Sequence, residues 1–241
     1  MKLKLVTVTG ADDSIDPIEI LNIAAEYPFV EFGILLSKNS MGKSRFPSLQ
    51  WMKELNQLSG KFIDINFSGH LCGGWMRNLM ATGDISFISE IPLWDQFKRV
   101  QLNFHAEKTE MSTEAFESLR NQTWKHKKHF IVQMDNVNNK LYERMLFGGI
   151  SAEPLFDVSH GAGIVPNEWP EVIPSVNPHA FRGYAGGLSP TNLADELEKI
   201  DKIVGEDQIW IDMETKIRSD NDKLFDLDKV KKCLEITKRY I

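Results

Sequence analysis

Cysteine is scarce in this chain, which contains only Cys72 and Cys233. The two residues lie far apart in the sequence and lack the spacing of metal ligands, so we expect no metal site built on them. So few cysteines are typical of a reduced compartment, and we expect a cytoplasmic protein. No cofactor is expected either.

Long apolar runs are also missing. The sequence has no stretch of about 20 apolar residues that would span a membrane, and its first residues, MKLKLVTVTGADD, lack the apolar core and cleavage site of a signal peptide. The formal net charge of −6 argues against a nucleic-acid-binding surface, although 123–129 is locally basic. We therefore expect neither a membrane nor a nucleic-acid partner.

Linkers and low-complexity tracts do not occur, and the apolar residues are spread along the whole chain. Hydrophobic residues make up 42% of the 241 positions and include six Trp and fourteen Phe, enough to fill a substantial core. We expect a single domain over 1–241.

Short strand-like apolar runs alternate with helical segments. The strand-like runs lie at 3–9, 29–37, 62–68, 99–105, 129–134 and 154–158, and at the starts of the segments 182–197 and 208–218. Segments with helical periodicity lie at 16–27, 47–60, 112–122, 138–148, 190–205 and 225–241, with shorter helices at 75–80 and 91–97. Asp16 is a typical N-cap before Pro17, and 160–181 is predicted to be mainly loop.

Strands that alternate with helices pair in parallel through right-handed crossovers. Eight such units in one chain of this length predict an α/β fold, a single (β/α)8 TIM barrel. A doubly wound open sheet is the alternative.

Functional groups of such a barrel gather at the C-terminal ends of its strands. Asp157 stands inside an apolar strand, where a carboxylate is costly unless it is paired or functional. Burial raises the pKa of a carboxyl group, which suits a general acid. The alternative is an ion pair with a barrel Arg or Lys.

The segment SGHLCGGWMRNL (68–79) offers His70 and Cys72 directly after the third predicted strand. His70 is a candidate acid or base near neutral pH. Cys72 is a candidate thiolate if the following helix points its N-terminus at the sulfur. Either residue is equally compatible with ordinary packing.

Further polar residues are expected to contact a small-molecule substrate. Gln101, Asn103 and His105 alternate along the fourth strand and so share one face. The other candidates at strand ends are Thr9, Arg45, Asp135, His160, Asp212 and Glu214. In contrast, we interpret Asp12 and Asp13 as turn and solvent residues.

A phosphate site is predicted after the seventh strand. Gly186 and Gly187 allow backbone N–H groups to face outward, and Ser189-Pro190-Thr191 begins a helix. Lys216 and Arg218, beyond the eighth strand, are expected to help hold the phosphate.

Five motifs in chain order resemble the phosphoribosylanthranilate isomerase family, (β/α)8 enzymes of tryptophan biosynthesis. KSRFPS (43–48) is similar to the family's Ser-Pro-Arg-Tyr loop, and RVQLNFHAE (99–107) to its Val-Gln-Leu-His-Gly strand. LFDVSHGAG (155–163) resembles its Leu-Leu-Asp strand and glycine-rich loop. YAGGLSPTNL (184–193) is close to Leu-Ala-Gly-Gly-Leu-x-Pro-x-Asn-Val, and WIDMETKIR (210–218) lies where the family has Val-Asp-Val-Ser-Ser-Gly-Val-Glu.

The resemblance implies that Asp157 is the general acid of an Amadori rearrangement, that Arg45 binds a substrate carboxylate and that Gly186 and Gly187 bind phosphate. The family's general base is a Cys at the end of strand one, where this chain has Thr9. Glu214 also replaces a small residue beside the family's phosphate.

The sequence therefore predicts a diverged isomerase, of the intramolecular-oxidoreductase type, acting on a small phosphorylated or carboxylated sugar-like substrate, with His70 or Cys72 as the replacement base. Two alternatives remain. One is a metal-dependent epimerase or aldolase, and the other is a non-catalytic binder that has lost the base. The Trp-rich loop 163–181 is a candidate pocket cover or a subunit contact in a homodimer.

Overall fold

The structure is a computed structural model that describes residues 1–62, 64–104, 110–134, 138–157, 163–171 and 181–241. The inner layer consists of eight strands: β1 (Lys2–Thr9), β2 (Val30–Leu36), β3 (Asn66–Leu71), β4 (Phe97–Leu102), β5 (His129–Met134), β6 (Ala152–Asp157), β7 (Arg182–Ala185) and β8 (Gln208–Met213). Each strand pairs in parallel with the next, and β8 pairs with β1. The predicted (β/α)8 barrel is confirmed, and the doubly wound alternative is wrong.

Helices cover the outside of the barrel. They are α1 (Pro17–Glu26), α2 (Leu49–Phe62), α3 (Gly73–Thr82), α4 (Thr113–His126), α5 (Asn139–Phe147), α6 (Leu193–Val204) and α7 (Leu227–Thr237). Short 3-10 helices lie at Ser86–Glu90, Trp94–Gln96, Thr215–Ile217 and Lys238–Tyr240, and a two-residue hairpin, β9 (Arg218–Ser219) and β10 (Leu224–Phe225), precedes α7. The described part of the β6–β7 connection, 163–171, has no helix or strand, as predicted.

Several helices begin where the sequence signals them. Asp16 accepts a hydrogen bond from the N–H of Ile18 at 2.9 Å at the start of α1. Ser112 accepts one from Ala115 at 3.1 Å at the start of α4. These side chains satisfy N–H groups that have no partner within the helix. None of the described helices combines the length and apolar character that a membrane crossing requires.

The barrel interior has an apolar layer and a charged one. Ile131, Leu155, Ala185 and Trp210 form the apolar cluster. The charged layer consists of Arg99, Glu31 and Glu153. The Arg99 guanidinium group bonds to Glu31 at 2.5 Å and to Glu153 at 2.8 Å. It also lies 4.1 Å from the Trp210 ring centroid.

Two predicted boundaries are wrong. The third strand was expected at 62–68, but α2 continues to Phe62 and β3 runs from Asn66 to Leu71. The inward residues of β3 are the polar Ser68 and His70, so the apolar run that marks a strand ends too early in the sequence. Likewise, the helix expected at 91–97 is a single 3-10 turn, and β4 begins at Phe97.

Candidate active site

A cavity of about 350 Å³ opens at the C-terminal ends of the barrel strands. The predicted site residues that line it are Arg45, Cys72, Gln101, Asn103, Asp157, Gly186, Gly187, Asp212, Glu214 and Lys216. These residues come from distant parts of the chain. They lie close together because all of the parallel strands end at the same rim of the barrel. His105, Asp135 and His160 lie outside the described residues.

Asp157 ends β6 and is 6% exposed. The amide of Gln133, on the neighbouring β5, donates to Asp157 Oδ2 at 3.4 Å and also lines the cavity. A Cβ at Gly186 would lie 3.7 Å from Asp157 Oδ1, so this glycine stands beside the carboxyl group. The carboxyl group is thus held at the cavity wall by its neighbours.

Asp212 is a second buried carboxyl group in the same cavity. The hydroxyl of Thr9 donates to Asp212 Oδ1 at 2.7 Å. Burial raises the pKa of Asp212 to about 8, and the negative charges of Glu214, Glu31 and Asp157 add to the rise, whereas the Thr9 hydrogen bond opposes it. Asp212 therefore carries a proton at neutral pH. Thr9 does not line the cavity but lies behind Asp212 and orients it.

His70 is not placed as a general base would be. It lies on β3, 1% exposed, and its Nε2 atom is 3.0 Å from Ser68 Oγ. Burial lowers the pKa of His70 to about 4, and the charge of Arg99 contributes, against the opposing effect of Glu31. His70 does not line the cavity. His70 as the general base stays a prediction, and its burial away from the cavity does not favour it.

Cys72 does reach the cavity, but as a thiol. Burial raises its pKa to about 11 even though Asn103 donates to the sulfur at 3.2 Å. Cys72 is the N-cap of α3, yet its side chain makes no capping hydrogen bond; the sulfur contacts the carbonyl of His70 at 3.5 Å instead. The structure thus speaks against both replacement bases proposed from the sequence.

Arg45 belongs to a cluster of charged residues that we call the ion-pair clasp: Asp12, Arg45, Glu214, Arg218 and Asp222. Arg45 Nε and Nη1 donate to Asp222 Oδ2 and Glu214 Oε1, both at 2.5 Å. Burial raises the pKa of Glu214, and Arg45 counters the rise. The clasp joins the loops after β1, β2 and β8.

Asp12 and Arg218 correct two sequence expectations. Asp12 is 3% exposed rather than solvated, and its Oδ2 atom accepts from the Arg45 backbone at 2.6 Å and from Arg218 at 2.7 Å. The Arg218 side chain is fully buried and also bonds to the carbonyl of Gly10 and to Asp222. It does not line the cavity, so its groups serve the clasp rather than a phosphate.

The glycine loop after β7 has an unusual backbone. Gly186 and Gly187 have φ values of +126° and +63°, which favour glycine. Asn192 Oδ1 accepts from the N–H of Ser189 at 2.8 Å, and its amide donates to the carbonyl of Gly187 at 3.0 Å. The exposed Lys216 lines this cavity and an adjoining one of about 860 Å³, as does Gly187.

Sequence reasoning missed some members of the site. Asp222 lies in the polar run SDNDK, which reads as an ordinary surface turn, and no local pattern marks it as a partner of Arg45. Glu31 and Arg99 are charged residues within otherwise apolar strands. This shared pattern in the sequence could have indicated that they pair with each other. Among the described residues, no group of three or more His, Cys, Asp or Glu side chains is arranged to hold a metal ion.

The chain was compared with known proteins by sequence and by structure. No protein-family model matches it, and no curated protein matches it in sequence. Phosphoribosyl anthranilate isomerase from Thermus thermophilus has a similar structure, with a TM-score of 0.59, 12% identity and 100% of both chains covered. The Pyrococcus furiosus enzyme matches with a TM-score of 0.55, 12% identity and 98% of both chains covered.

A barrel named for another activity is comparably similar. 3-Keto-L-gulonate-6-phosphate decarboxylase from Vibrio cholerae has a TM-score of 0.57 and 8% identity over 100% of both chains. Identities this low show the fold and leave the activity open. The chain is thus a (β/α)8 barrel with the fold of phosphoribosyl anthranilate isomerase, as its motifs predicted, and with Thr9 at the end of its first strand.

Proposed function

We propose that the chain is an isomerase-type enzyme that moves a proton within a small, phosphorylated, sugar-like substrate. Two carboxyl groups are the acid and the base: Asp212 donates a proton to a substrate oxygen, and Asp157 takes a proton from the adjacent carbon. The observation that carries the proposal is that both groups line one cavity, where burial raises the pKa of Asp212 and so favours its protonated form.

The environments of the two groups support different roles. Acid–base catalysis needs a proton donor and a proton acceptor that reach the same substrate, and the raised pKa of Asp212 suits the donor. Thr9 fixes the orientation of Asp212, and Gln133 contacts Asp157, so both carboxyl groups are pre-positioned. The resemblance gives the acid's role to Asp157; the proton on Asp212 favours the exchange of roles.

This pairing supplies the base that the sequence lacked. Thr9 occupies the position of the family's base but has no readily titrating group, and His70 and Cys72 are poorly suited. A second carboxyl group at the rim removes the need for either residue. Asp212 was expected only to contact substrate, although it stands in an apolar strand, QIWIDM, as Asp157 does.

Phosphate recognition is supported by the glycine loop and by Lys216. Backbone N–H groups in glycine-rich turns commonly hold phosphate, and an exposed Lys adds positive charge. The names of two similar barrels refer to phosphoribosyl and 6-phosphate compounds. The cavity volume of about 350 Å³ fits a ligand of this size.

The test is proton exchange with solvent. The protein is incubated in D₂O with phosphoribosylanthranilate or D-ribose 5-phosphate, and deuterium at carbon is followed by NMR, together with loss of anthranilate fluorescence. We expect exchange with at least one compound, reduced by at least about 100-fold in Asp157→Asn and in Asp212→Asn.

Asp64→Asn is the matched control, because it makes the same chemical change on a side chain that is 85% exposed. It should leave the exchange rate unchanged. Exchange that persists in both cavity variants would contradict the assignment. Folded wild-type protein with no exchange on either compound would count against the proposed reaction on sugar phosphates of this kind.

A further inference from the structure

Arg45 and Lys216 are the cationic side chains among the described residues that line the cavity, and their surroundings differ. Arg45 is already paired twice within the chain, with Glu214 and Asp222 at 2.5 Å each. Lys216 is exposed and has no ion-pair partner in the part of the chain that the structure describes. The available positive charge of the cavity therefore lies at Lys216.

The pairing of Arg45 is built into the fold. The Arg45 backbone N–H is held by Asp12 at 2.6 Å, and the residue has a φ of +72°. Asp12 and Asp222, which bind the backbone and the side chain of Arg45, also pair with Arg218, whose side chain is fully buried. An Arg fixed in this way cannot turn freely toward a ligand.

The charge balance at Arg45 decides what it can bind. One guanidinium group faces two carboxylates, Glu214 and Asp222. A substrate carboxylate placed there would meet the negative charge of Glu214 at close range, and like charges placed close together in a site repel each other. A hydroxyl group meets no such repulsion and can hydrogen-bond to either member of the pair.

We propose that Glu214 is a specificity-determining residue, an internal carboxylate that occupies Arg45 and excludes substrates with a carboxylate at that place. The inference rests on the proposed function and narrows it. The substrate is a sugar-like compound whose phosphate is its anionic group and whose remaining body is hydroxylated and uncharged. Arg45 was expected to bind a substrate carboxylate; in this chain Glu214 takes that place.

The experiment compares two ligands that differ at one carbon. Ribitol 5-phosphate ends in CH₂OH where 5-phospho-D-ribonate ends in a carboxylate. Binding of each is measured by isothermal titration calorimetry with the wild type and with Glu214→Gln, which keeps size and hydrogen bonding but removes the charge. We expect the wild type to bind ribitol 5-phosphate at least about tenfold more tightly, and Glu214→Gln to abolish or reverse that preference.

Two further variants separate this effect from general electrostatics and from misfolding. Asp228→Asn makes the same change in net charge beside the adjoining cavity and should keep the wild-type preference. Asp222→Asn removes the charge of the other carboxylate that pairs with Arg45. It should reduce the preference for ribitol 5-phosphate by less than Glu214→Gln does, because Asp222 also pairs with Arg218. Thermal unfolding of each variant confirms that it is folded.

The outcomes distinguish the two proposals. A wild type that prefers 5-phospho-D-ribonate, or a preference that Glu214→Gln leaves unchanged, overturns the role of Glu214 and leaves the proposed proton transfer standing. Failure of the folded wild type and Glu214→Gln to bind either ligand at millimolar concentration overturns the sugar-phosphate pocket, and the inference falls with it.

Discussion

The carboxyl group of Asp212 contacts Thr9 on one side and faces the cavity on the other. Burial disfavours the ionised form of this group in the folded chain. The group therefore lowers the free energy of unfolding at pH values where it is ionised in the unfolded chain. In the folded chain the group holds its proton up to a pH of about 8, whereas in the unfolded chain it ionises at a pH of about 4. Function and stability therefore conflict at this residue.

Asp212→Asn should make the protein more stable at high pH. Because the folded-state pKa is raised, the wild type loses stability as the pH rises from about 4 to about 8, and the amide variant escapes this loss. We expect the variant to gain at least about 1 kcal/mol in free energy of unfolding at pH 8 and almost nothing at pH 4. Urea unfolding at both pH values measures the difference. An equal effect at the two pH values, or destabilisation at pH 8, would contradict the raised pKa.

At the scale of the elements, Arg99 links the interior faces of β2, β4 and β6 through Glu31 and Glu153. Glu31 is 1% exposed. Burial pushes its pKa upward, but the charge and hydrogen bonds of Arg99 outweigh burial and hold the pKa below its ordinary value. The three strands are thus joined by an ion-pair network in which Arg99 and Glu31 are buried and Glu153 is partly exposed.

Arg99→Met should be strongly destabilising, because it leaves the charge of Glu31 buried without its partner. We expect a loss of about 3–5 kcal/mol at pH 7. The loss should be smaller near pH 4, where Glu31 in the variant can take up a proton. The double variant Glu31→Gln/Arg99→Met should recover part of the stability. Chemical unfolding of the three proteins tests this; a double variant no more stable than Arg99→Met would argue against a paired charge.

The loop after β7 is a second element whose sequence and geometry agree. A Cβ on Gly187 would lie 2.5 Å from the backbone nitrogen of Val165. Gly149 has a similar φ, +74° against +63°, but has nothing within 4 Å of such a Cβ. The two glycines therefore form a matched pair that separates backbone strain from steric contact.

Gly187→Ala should cost clearly more stability than Gly149→Ala. The strain of a positive φ applies to both, at about 1 kcal/mol, and only Gly187 adds the clash with the 163–165 backbone. Gly187→Ala should also weaken binding of ribitol 5-phosphate, since the loop must shift. Thermal unfolding and calorimetry measure the two effects. Equal losses of stability in the two variants would mean that the 163–165 segment does not pack on the loop.

At the scale of the whole molecule, the barrel was predictable and the chemistry of its rim was only partly so. Apolar runs with helices between them predict eight strands, and cap residues such as Asp16 and Ser112 mark helix starts. The exception is β3, whose inward residues Ser68 and His70 are polar. The alternation of residues along a strand indicates on which face of the strand a side chain lies. The parallel pairing then brings the C-terminal ends of all strands to one rim of the barrel.

Partners across the barrel could not be predicted, because they depend on strand register and loop path. Asp12 looked like a surface residue, yet it is buried against Arg218, far away in the chain. The raised pKa of Asp212 arises from burial and from the charges of Glu214 just beyond the same strand, Glu31 on β2 and Asp157 on β6. His70 was expected directly after the third strand, but it lies within β3, which ends at Leu71. The burial of Asp12 and the effects of Glu31 and Asp157 on Asp212 come from segments that are distant in sequence, whereas the error at β3 concerns a local boundary.

The measurement that tests the account most directly is the pH dependence of deuterium exchange into the substrate. If Asp212 is the proton donor, the rate should fall as the pH rises through about 8, the pKa that burial gives this group. Asp212→Asn should remove that step together with nearly all the activity. A wild-type rate that rises through pH 8 would make Asp212 the base, and a rate indifferent to pH between 7 and 9 would contradict proton transfer by Asp212 altogether.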